Sequence, residues 1–131
     1  MTAQDALARH RLARARVALE EADLLQSADR WSGALNRLYY AAFYAARAVL
    51  ALKRLDSSKH SGVIALFQEH FVKTGMVSPD VARALPQAFA RRQRSDYDDF
   101  SDVQAEEVNA LRQQVEQLVQ ACDDAVNRPR M

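Results

Sequence analysis

The chain has 131 residues with 18 Lys or Arg and 17 Asp or Glu, so its formal net charge is only +1. This balance excludes the global positive field that drives non-specific nucleic-acid binding, and any contact with nucleic acid must come from local clusters of charge. Only 3 Gly and 3 Pro occur in a sequence rich in Ala, Leu, Arg and Gln, a composition typical of helical proteins.

Length and cysteine usage narrow the class of protein further. The chain is expected to fold as one domain over residues 1–131 with a core of its own. A single cysteine, Cys122, excludes an internal disulfide and a multi-cysteine metal site, and it fits a reducing compartment. The N-terminus is charged and polar, and the most apolar run, Leu38–Leu52, is interrupted by Arg47 and too short to cross a bilayer. We therefore expect a cytoplasmic protein that does not enter a membrane.

The first helix is predicted over residues 3–27, where small and apolar side chains recur at steps of four and three residues. This predicted buried stripe is Ala8, Leu12, Ala15, Leu19 and Ala22. The other faces carry Arg9, Arg11, Arg14 and Arg16. These arginines indicate a solvated helix face, with a basic ridge as the alternative.

The second helix is predicted over residues 30–53, with Asp29 as its N-cap. Apolar residues lie on more than one of its sides, which indicates a central helix contacted by several neighbours. Polar residues on such a helix must find partners. The residues concerned are Asn36, Arg37 and Arg47. Asn36 either bonds to a neighbouring backbone group or faces the same polar site as Arg92.

The third helix is predicted over residues 60–74, and Gly75 is well placed to end it. Ser58 or Ser61 is expected to cap its N-terminus. His60 lies at the helix start, where a histidine is usually a capping or surface residue. The alternative is that His60 belongs to a functional site.

The fourth helix is predicted to begin with Ser78 as N-cap and Pro79 at the first helical position. It runs to about Ser95, and Pro86 is expected to kink or break it.

The fifth helix is predicted to follow a capping box, Ser101-x-x-Gln104, and to run to about Val126. Its buried stripe is Val108, Leu111, Val115, Leu118 and Cys122. Cys122 is therefore interpreted as a small core residue. Four to five helices with short connections predict an all-α, antiparallel up-and-down bundle.

The segment Arg91–Phe100 reads R-R-Q-R-S-D-Y-D-D-F and is the most highly charged part of the chain. At helical spacing, the apolar stripe that ends at Phe89 continues to Arg92 and Asp96. This helix face is thus apolar up to Phe89 and charged from Arg92 onwards. It is interpreted either as a helix end with paired charges or as a polar site at an interface.

Motifs for other chemistries are missing from the sequence. There is no Gly-rich phosphate loop, no G-x-S-x-G and no H-E-x-x-H. The aspartates at positions 96, 98, 99 and 102 match no metal-binding loop. We therefore expect neither a metal nor a cofactor.

Four blocks of the sequence are together similar to those of a known family. They are N-R-L-Y-Y-A-A-F-Y-A-A-R-A-V-L from Asn36 to Leu50, K-H-S-G-V-I from Lys59 to Ile64, F-V-K-T-G from Phe71 to Gly75 and R-Q-R-S-D-Y from Arg92 to Tyr97. In order and spacing they resemble the small stand-alone HEPN domains of prokaryotes (higher eukaryotes and prokaryotes nucleotide-binding). The blocks cover most of the chain.

The resemblance implies a helical bundle that forms a homodimer. It also implies a toxin of a toxin–antitoxin pair, acting as a metal-independent ribonuclease on RNA, with a nucleotide as another possible ligand. The implied partner is a nucleotidyltransferase antitoxin, which in some such pairs adds nucleotides to a tyrosine near the motif.

The ribonuclease motif of the family is an Arg, four to six further residues and a His, and the site forms across the dimer. Arg92 corresponds to the motif arginine, but Tyr97 stands where a histidine would be, and no His follows it. An arginine binds phosphate but cannot act as a base, so Asp96 or His60 would have to accept a proton. The candidate catalytic residues are Arg92, Asp96 and Tyr97, and the candidate binding or supporting residues are Asn36, Arg47, His60 and Arg94.

Three functions fit these residues. The first is a HEPN-type toxin and ribonuclease with the degenerate motif R-x-x-x-D-Y. The second is a non-catalytic HEPN module that binds a nucleotide, RNA or a nucleotidyltransferase. The third is a structural domain in which the arginines and aspartates merely join two helices. We favour the first.

Overall fold

The computed structural model describes residues 2–98 and 102–128, and in these ranges it contains helices and no strand. The helices are α1 (Ala3–Ser27), α2 (Trp31–Leu52), α3 (His60–Phe67), α4 (Pro79–Ala82), α5 (Ala84–Tyr97) and α6 (Ala105–Asn127). A π-helical turn, Gln68–Val72, continues α3. The predicted all-α helical bundle is confirmed.

Helix α2 is the central helix of the bundle and packs against α1, α3, α5 and α6. Thirteen of its 22 residues are buried. The sequence-based prediction of a central helix, apolar on more than one side, is therefore confirmed. No helix in the described part of the chain has the length and apolar character needed to cross a membrane.

Small side chains determine how α1 packs. Its predicted stripe is buried in full, and Ala8, Ala15 and Ala22 are inaccessible to solvent. Because alanine carries only a methyl group, a helix lined with it can approach its neighbour closely. Thr2 starts α1 with a capping box, in which the Asp5 N–H donates to the threonine hydroxyl and the Thr2 N–H donates to the Asp5 carboxylate.

The turn between α1 and α2 corrects one prediction. Asp29 is not the N-cap of α2, because Arg30 occupies that position and makes no capping bond with its side chain. Asp29 has a left-handed φ of 58°, and its N–H donates to the Gln26 carbonyl at 3.0 Å. Residues 28–30 alone join the two helices, so the chain must reverse sharply, and aspartate tolerates the left-handed conformation better than most residues.

Helix α3 begins at His60, but neither Ser58 nor Ser61 caps it. Lys59 is the N-cap residue, and its N–H donates to the hydroxyl of Ser57 at 3.2 Å. A Cβ atom at Gly62 would lie 2.1 Å from that same hydroxyl, so this first turn depends on glycine.

The end of the third predicted helix is only partly as expected. The α-helical geometry stops at Phe67, and the π-helical turn then runs to Val72. Phe67, Phe71 and Val72 are all buried. Gly75 follows with a φ of 81° and ends the segment, as predicted.

The fourth predicted helix is divided at Arg83 into α4 and α5. Pro86 has no N–H to donate to the carbonyl of Ala82, so the hydrogen-bond ladder opens one turn before the proline. The predicted break is confirmed. Ser78 and Pro79 occupy the N-cap and first helical positions of α4, as the sequence indicated, although the Ser78 side chain makes no capping bond.

Helix α6 begins later than predicted. Ser101 of the predicted capping box lies outside the described residues, and the observed capping box is formed by Gln104 and Glu107. The Glu107 carboxylate also accepts two hydrogen bonds of 2.9 Å from Arg91, which ties the start of α6 to α5. The predicted stripe of α6 is buried, and burial raises the pKa of the Cys122 thiol.

Candidate functional site

The guanidinium of Arg92 lies against two tyrosine rings. Its Cζ is 5.1 Å from the ring centre of Tyr39 and 5.2 Å from that of Tyr40. The side chain is 22% exposed, and its buried Nε has no hydrogen-bond partner among residues 2–98 and 102–128. The Nη groups of Arg92 have no hydrogen-bond partner in the same ranges and are not among the buried unpartnered atoms, so this cation held on aromatic faces can present them to an anion.

Helix α5 directs this side chain towards α2 through its buried face. Leu85 and Phe89 precede Arg92 on that face, and the ring of Phe89 lies 5.7 Å from the ring of Tyr39. One turn later, Asp96 Oδ2 is 3.4 Å from Arg92 Nε, within ion-pair range but without hydrogen-bond geometry. The structure thus places Arg92 and Asp96 together, as their spacing predicted.

Helix α3 brings His60 to the same tyrosine. His60 Nδ1 is 2.7 Å from Tyr39 Oη, and the imidazole stacks on Phe43 with ring centres 4.4 Å apart. His60 Nε2 has no hydrogen-bond partner in the described part of the chain and is not among its buried unpartnered atoms, so solvent reaches it. Of the two interpretations of His60, this geometry favours a site residue. We call Tyr39, Tyr40, Phe43, His60 and Arg92 the Arg92 cluster.

The protonation of this cluster follows from burial and charge. Burial lowers the pKa of His60, and the positive charges of Arg92 and Arg47 lower it further below its ordinary value of 6.5. His60 is therefore neutral at neutral pH. Burial raises the pKa of the Tyr39 phenol against the opposing charge of Arg92, so Tyr39 keeps its proton and serves as a hydrogen-bonding group.

Arg47 lies at the edge of the cluster. Its Cζ is 5.8 Å from the ring centre of Phe43, and its Nη2 donates to Asp56 at 3.0 Å. The same carboxylate accepts from the buried Arg11 at 3.3 Å. Two arginines thus share one carboxylate, which leaves this edge positive.

Asn36 reaches the cluster only through its neighbour. Its Oδ1 accepts from Nε and Nη2 of Arg37 at 3.3 and 2.8 Å. Arg37 in turn has its Cζ 4.9 Å from the ring centre of Tyr40. The two partners predicted for the Asn36 side chain were a backbone group and Arg92. Neither forms a hydrogen bond with it within the described ranges.

Arg94 and Tyr97 are not brought to Arg92. Arg94 is exposed, and two residues along a helix place it about 160° around the axis from Arg92. Tyr97 is 86% exposed, and five residues along a helix place it about 140° around the axis from Arg92. Asp99 and Phe100 lie outside the described residues.

The aromatic residues of α2 are the part of the site that sequence reasoning missed. Tyr39, Tyr40 and Phe43 form the floor on which Arg92 and His60 rest. The signal was the run Y-Y-x-x-F-Y at helical spacing on a helix that also carries arginines. In residues 2–98 and 102–128, no three His, Cys, Asp or Glu side chains are grouped so that they could hold a metal ion.

Comparison with known proteins identifies the family. The family model for the HEPN domain matches residues 8–125. The chain belongs to the HEPN family. The predicted resemblance is thereby confirmed, and the helical bundle is consistent with it.

Relatives of this HEPN chain occur in bacteria and archaea. A UPF0332 protein of Thermotoga maritima is 37% identical over 113 residues, 86% of each chain. A protein of Methanocaldococcus jannaschii with the name "Putative toxin" is 32% identical over 98 residues, 75% of this chain and 67% of its own. A UPF0332 protein of Archaeoglobus fulgidus is 35% identical over 92 residues, 70% of this chain and 73% of its own.

Proposed function

We propose that this HEPN protein is the toxin of a toxin–antitoxin pair and acts as a metal-independent ribonuclease. The observation that supports this function best is the shared position of Arg92 and His60 on Tyr39. An arginine with unused N–H groups and a neutral imidazole contact the same ring, on helices far apart in sequence. The name of the Methanocaldococcus jannaschii relative supports the toxin assignment.

In the proposed reaction, RNA supplies its own nucleophile. Arg92 binds the non-bridging oxygens of the scissile phosphate and stabilises the charge that develops on them. The reaction uses the His60 tautomer whose Nδ1–H donates to Tyr39 Oη, because that tautomer leaves Nε2 free to take the proton of the ribose 2′-hydroxyl. The 2′-oxygen bonds to phosphorus, the bond to the 5′-oxygen breaks, and that oxygen takes a proton from water. A cyclic phosphate and a 5′-hydroxyl result, and the hydroxide formed recovers the proton from His60.

This scheme accounts for the departure from the family motif. The position of the motif histidine is occupied by Tyr97, which is highly exposed and points away from Arg92. In the proposed site, α3 supplies the imidazole instead of α5. Asp96 then orients the guanidinium of Arg92.

The assembly and the partner are part of the same proposal. We propose a homodimer, with a nucleotidyltransferase antitoxin as the neutralising partner. Tyr97, at the last residue of α5 and open to solvent, is the side chain to which such an antitoxin would add nucleotides. The second candidate, a non-catalytic module that binds RNA or a nucleotide, is favoured by the lack of a histidine after Arg92.

The Arg92→Ala variant should cleave total RNA about 10²-fold more slowly than the wild type in the presence of a chelator, because the phosphate loses its cationic receptor. Cleavage is followed on gels after light scattering and circular dichroism have shown equal mass and folding. The matched control is Arg94→Ala, which removes an exposed arginine of the same helix that faces away from the cluster.

Wild-type protein that binds RNA without cleaving it would establish the non-catalytic module instead. Equal cleavage by the wild type and Arg92→Ala would exclude Arg92 from the reaction. Cleavage that stops with chelator would contradict a metal-independent mechanism.

The His60→Gln variant should bind RNA normally but cleave it far more slowly, since glutamine is polar and uncharged like the neutral imidazole but cannot take a proton. The wild-type rate should hold at neutral pH and fall only when the pH drops below 6.5, because burial, Arg92 and Arg47 keep His60 unprotonated to lower pH. His70→Gln is the control. The measurement is the initial rate of RNA cleavage as a function of pH. A full cleavage rate in His60→Gln, together with loss of cleavage in Asp96→Asn, would assign the role of base to Asp96.

A further inference from the structure

A row of arginines stacked on tyrosines extends from the Arg92 cluster along α2 to α1. Arg14 has its Cζ 4.5 Å from the ring centre of Tyr44, and its Nη2 donates to Tyr44 Oη at 2.8 Å. The ring of Tyr44 lies 6.1 Å from the ring of Tyr40, and Tyr40 contacts both Arg37 and Arg92. We call these five residues the Arg–Tyr strip.

The arginines of the strip are paired with carboxylates only loosely or not at all. Arg14 pairs with no carboxylate in the described ranges. The contacts of Arg37 with Glu21 at 3.5 Å and of Arg92 with Asp96 at 3.4 Å are the longest arginine–carboxylate pairs there. By contrast, Arg16 lies 2.7 Å from Asp123. Loosely paired arginines lose little when they exchange a carboxylate for a phosphate.

A groove beside the strip combines positive charge with an apolar surface. It has a volume of about 350 Å³ and lies between α1 and α2, with Arg14, Arg37 and Tyr44 among its lining residues. Val17, which is 52% exposed, adds an apolar surface to it. Glu21 is the one acidic residue in the lining, against two arginines, so the groove is net positive.

We propose that the Arg–Tyr strip holds single-stranded RNA and leads it to the Arg92 cluster. The inference rests on the proposed function in that RNA is the substrate. Guanidinium groups fixed on tyrosine rings present N–H donors to successive phosphates and flat surfaces on which bases stack. Stacking of this kind requires bases that are not already paired, so the strip favours single strands over duplexes.

The test is the salt dependence of binding to a short, fluorescently labelled 2′-O-methyl oligouridine. Its blocked 2′-hydroxyls prevent cleavage, so the result does not depend on whether the protein is a ribonuclease. A plot of log affinity against log salt concentration should become shallower by about 0.7 in Arg14→Ala and in Arg37→Ala, because each loses one phosphate contact. Arg9→Ala should keep the wild-type slope, since Arg9 is exposed on the same helix but lines a different groove.

Each of the following results would contradict the proposal that the Arg–Tyr strip binds single-stranded RNA. The first is a wild-type protein that does not bind the oligouridine. The second is a salt-dependence slope in Arg14→Ala and Arg37→Ala that equals the slope of the wild type. Equal affinity for a duplex of matched length excludes the single-stranded ligand. A halved mass of both variants in light scattering would assign the groove to contact with a second copy of the chain. If the protein binds the oligouridine as expected but does not cleave RNA, the proposed ribonuclease activity is refuted and the proposed binding by the strip is not.

Discussion

Replacing Phe71 by alanine should lower the free energy of unfolding by about 3–5 kcal/mol. The side chain is fully buried, its ring lies 6.1 Å from that of Phe67, and Lys53 Nζ lies 4.8 Å from its centre. Alanine would leave a cavity that the surrounding helices can fill only in part, and the lysine would lose its aromatic partner. Urea denaturation followed by circular dichroism measures the change.

The control for this variant is Leu24→Ala. Leu24 is 70% exposed, so its truncation should change stability by less than about 0.5 kcal/mol. A loss for Phe71→Ala no larger than that of the control would show that the π-helical turn does not belong to the cooperative core.

The Ala15→Phe variant should lose about 3 kcal/mol or more through overpacking. Ala15 is inaccessible to solvent and lies on the stripe of small residues that α1 turns towards its neighbours. A phenyl ring there has no space unless α1 moves away from α2 or α6. The same denaturation experiment measures the loss.

Ala13→Phe is matched to this substitution. Ala13 is exposed on the same helix, so the two variants share the change in helix propensity and differ in the packing. Equal stability of the two variants would mean that α1 is not closely packed at Ala15.

Much of the fold could be predicted because its helices obey periodic patterns. The stripes of α1, α2 and α6 repeat at helical spacing, and the break before Pro86 follows from a missing N–H. The details that sequence reasoning missed depend on tertiary contacts. Asp29 adopts a left-handed conformation in a connection of three residues, and α6 begins at a capping box whose Glu107 also bonds to Arg91 on α5.

The site was predictable only where its residues share one helix. Arg92 and Asp96 are four residues apart, so their proximity follows from the helical repeat. His60 reaches Tyr39 because α3 packs on α2, and no local pattern encodes that distance. Tyr39 is fully buried, and an apolar pattern that indicates burial does not reveal that the hydroxyl bonds to an imidazole.

The short connection between α1 and α2 has a consequence for how the chain folds. Contacts between helices joined by residues 28–30 are local in sequence, so they form at a small cost in loop entropy. Helix α6 must be recruited from the far end of the chain to reach the same core. We therefore expect the α1–α2 hairpin to form the folding nucleus and α6 to pack onto it afterwards. On this basis, overpacking at Ala15 should chiefly slow folding, whereas the cavity at Phe71 should chiefly speed unfolding.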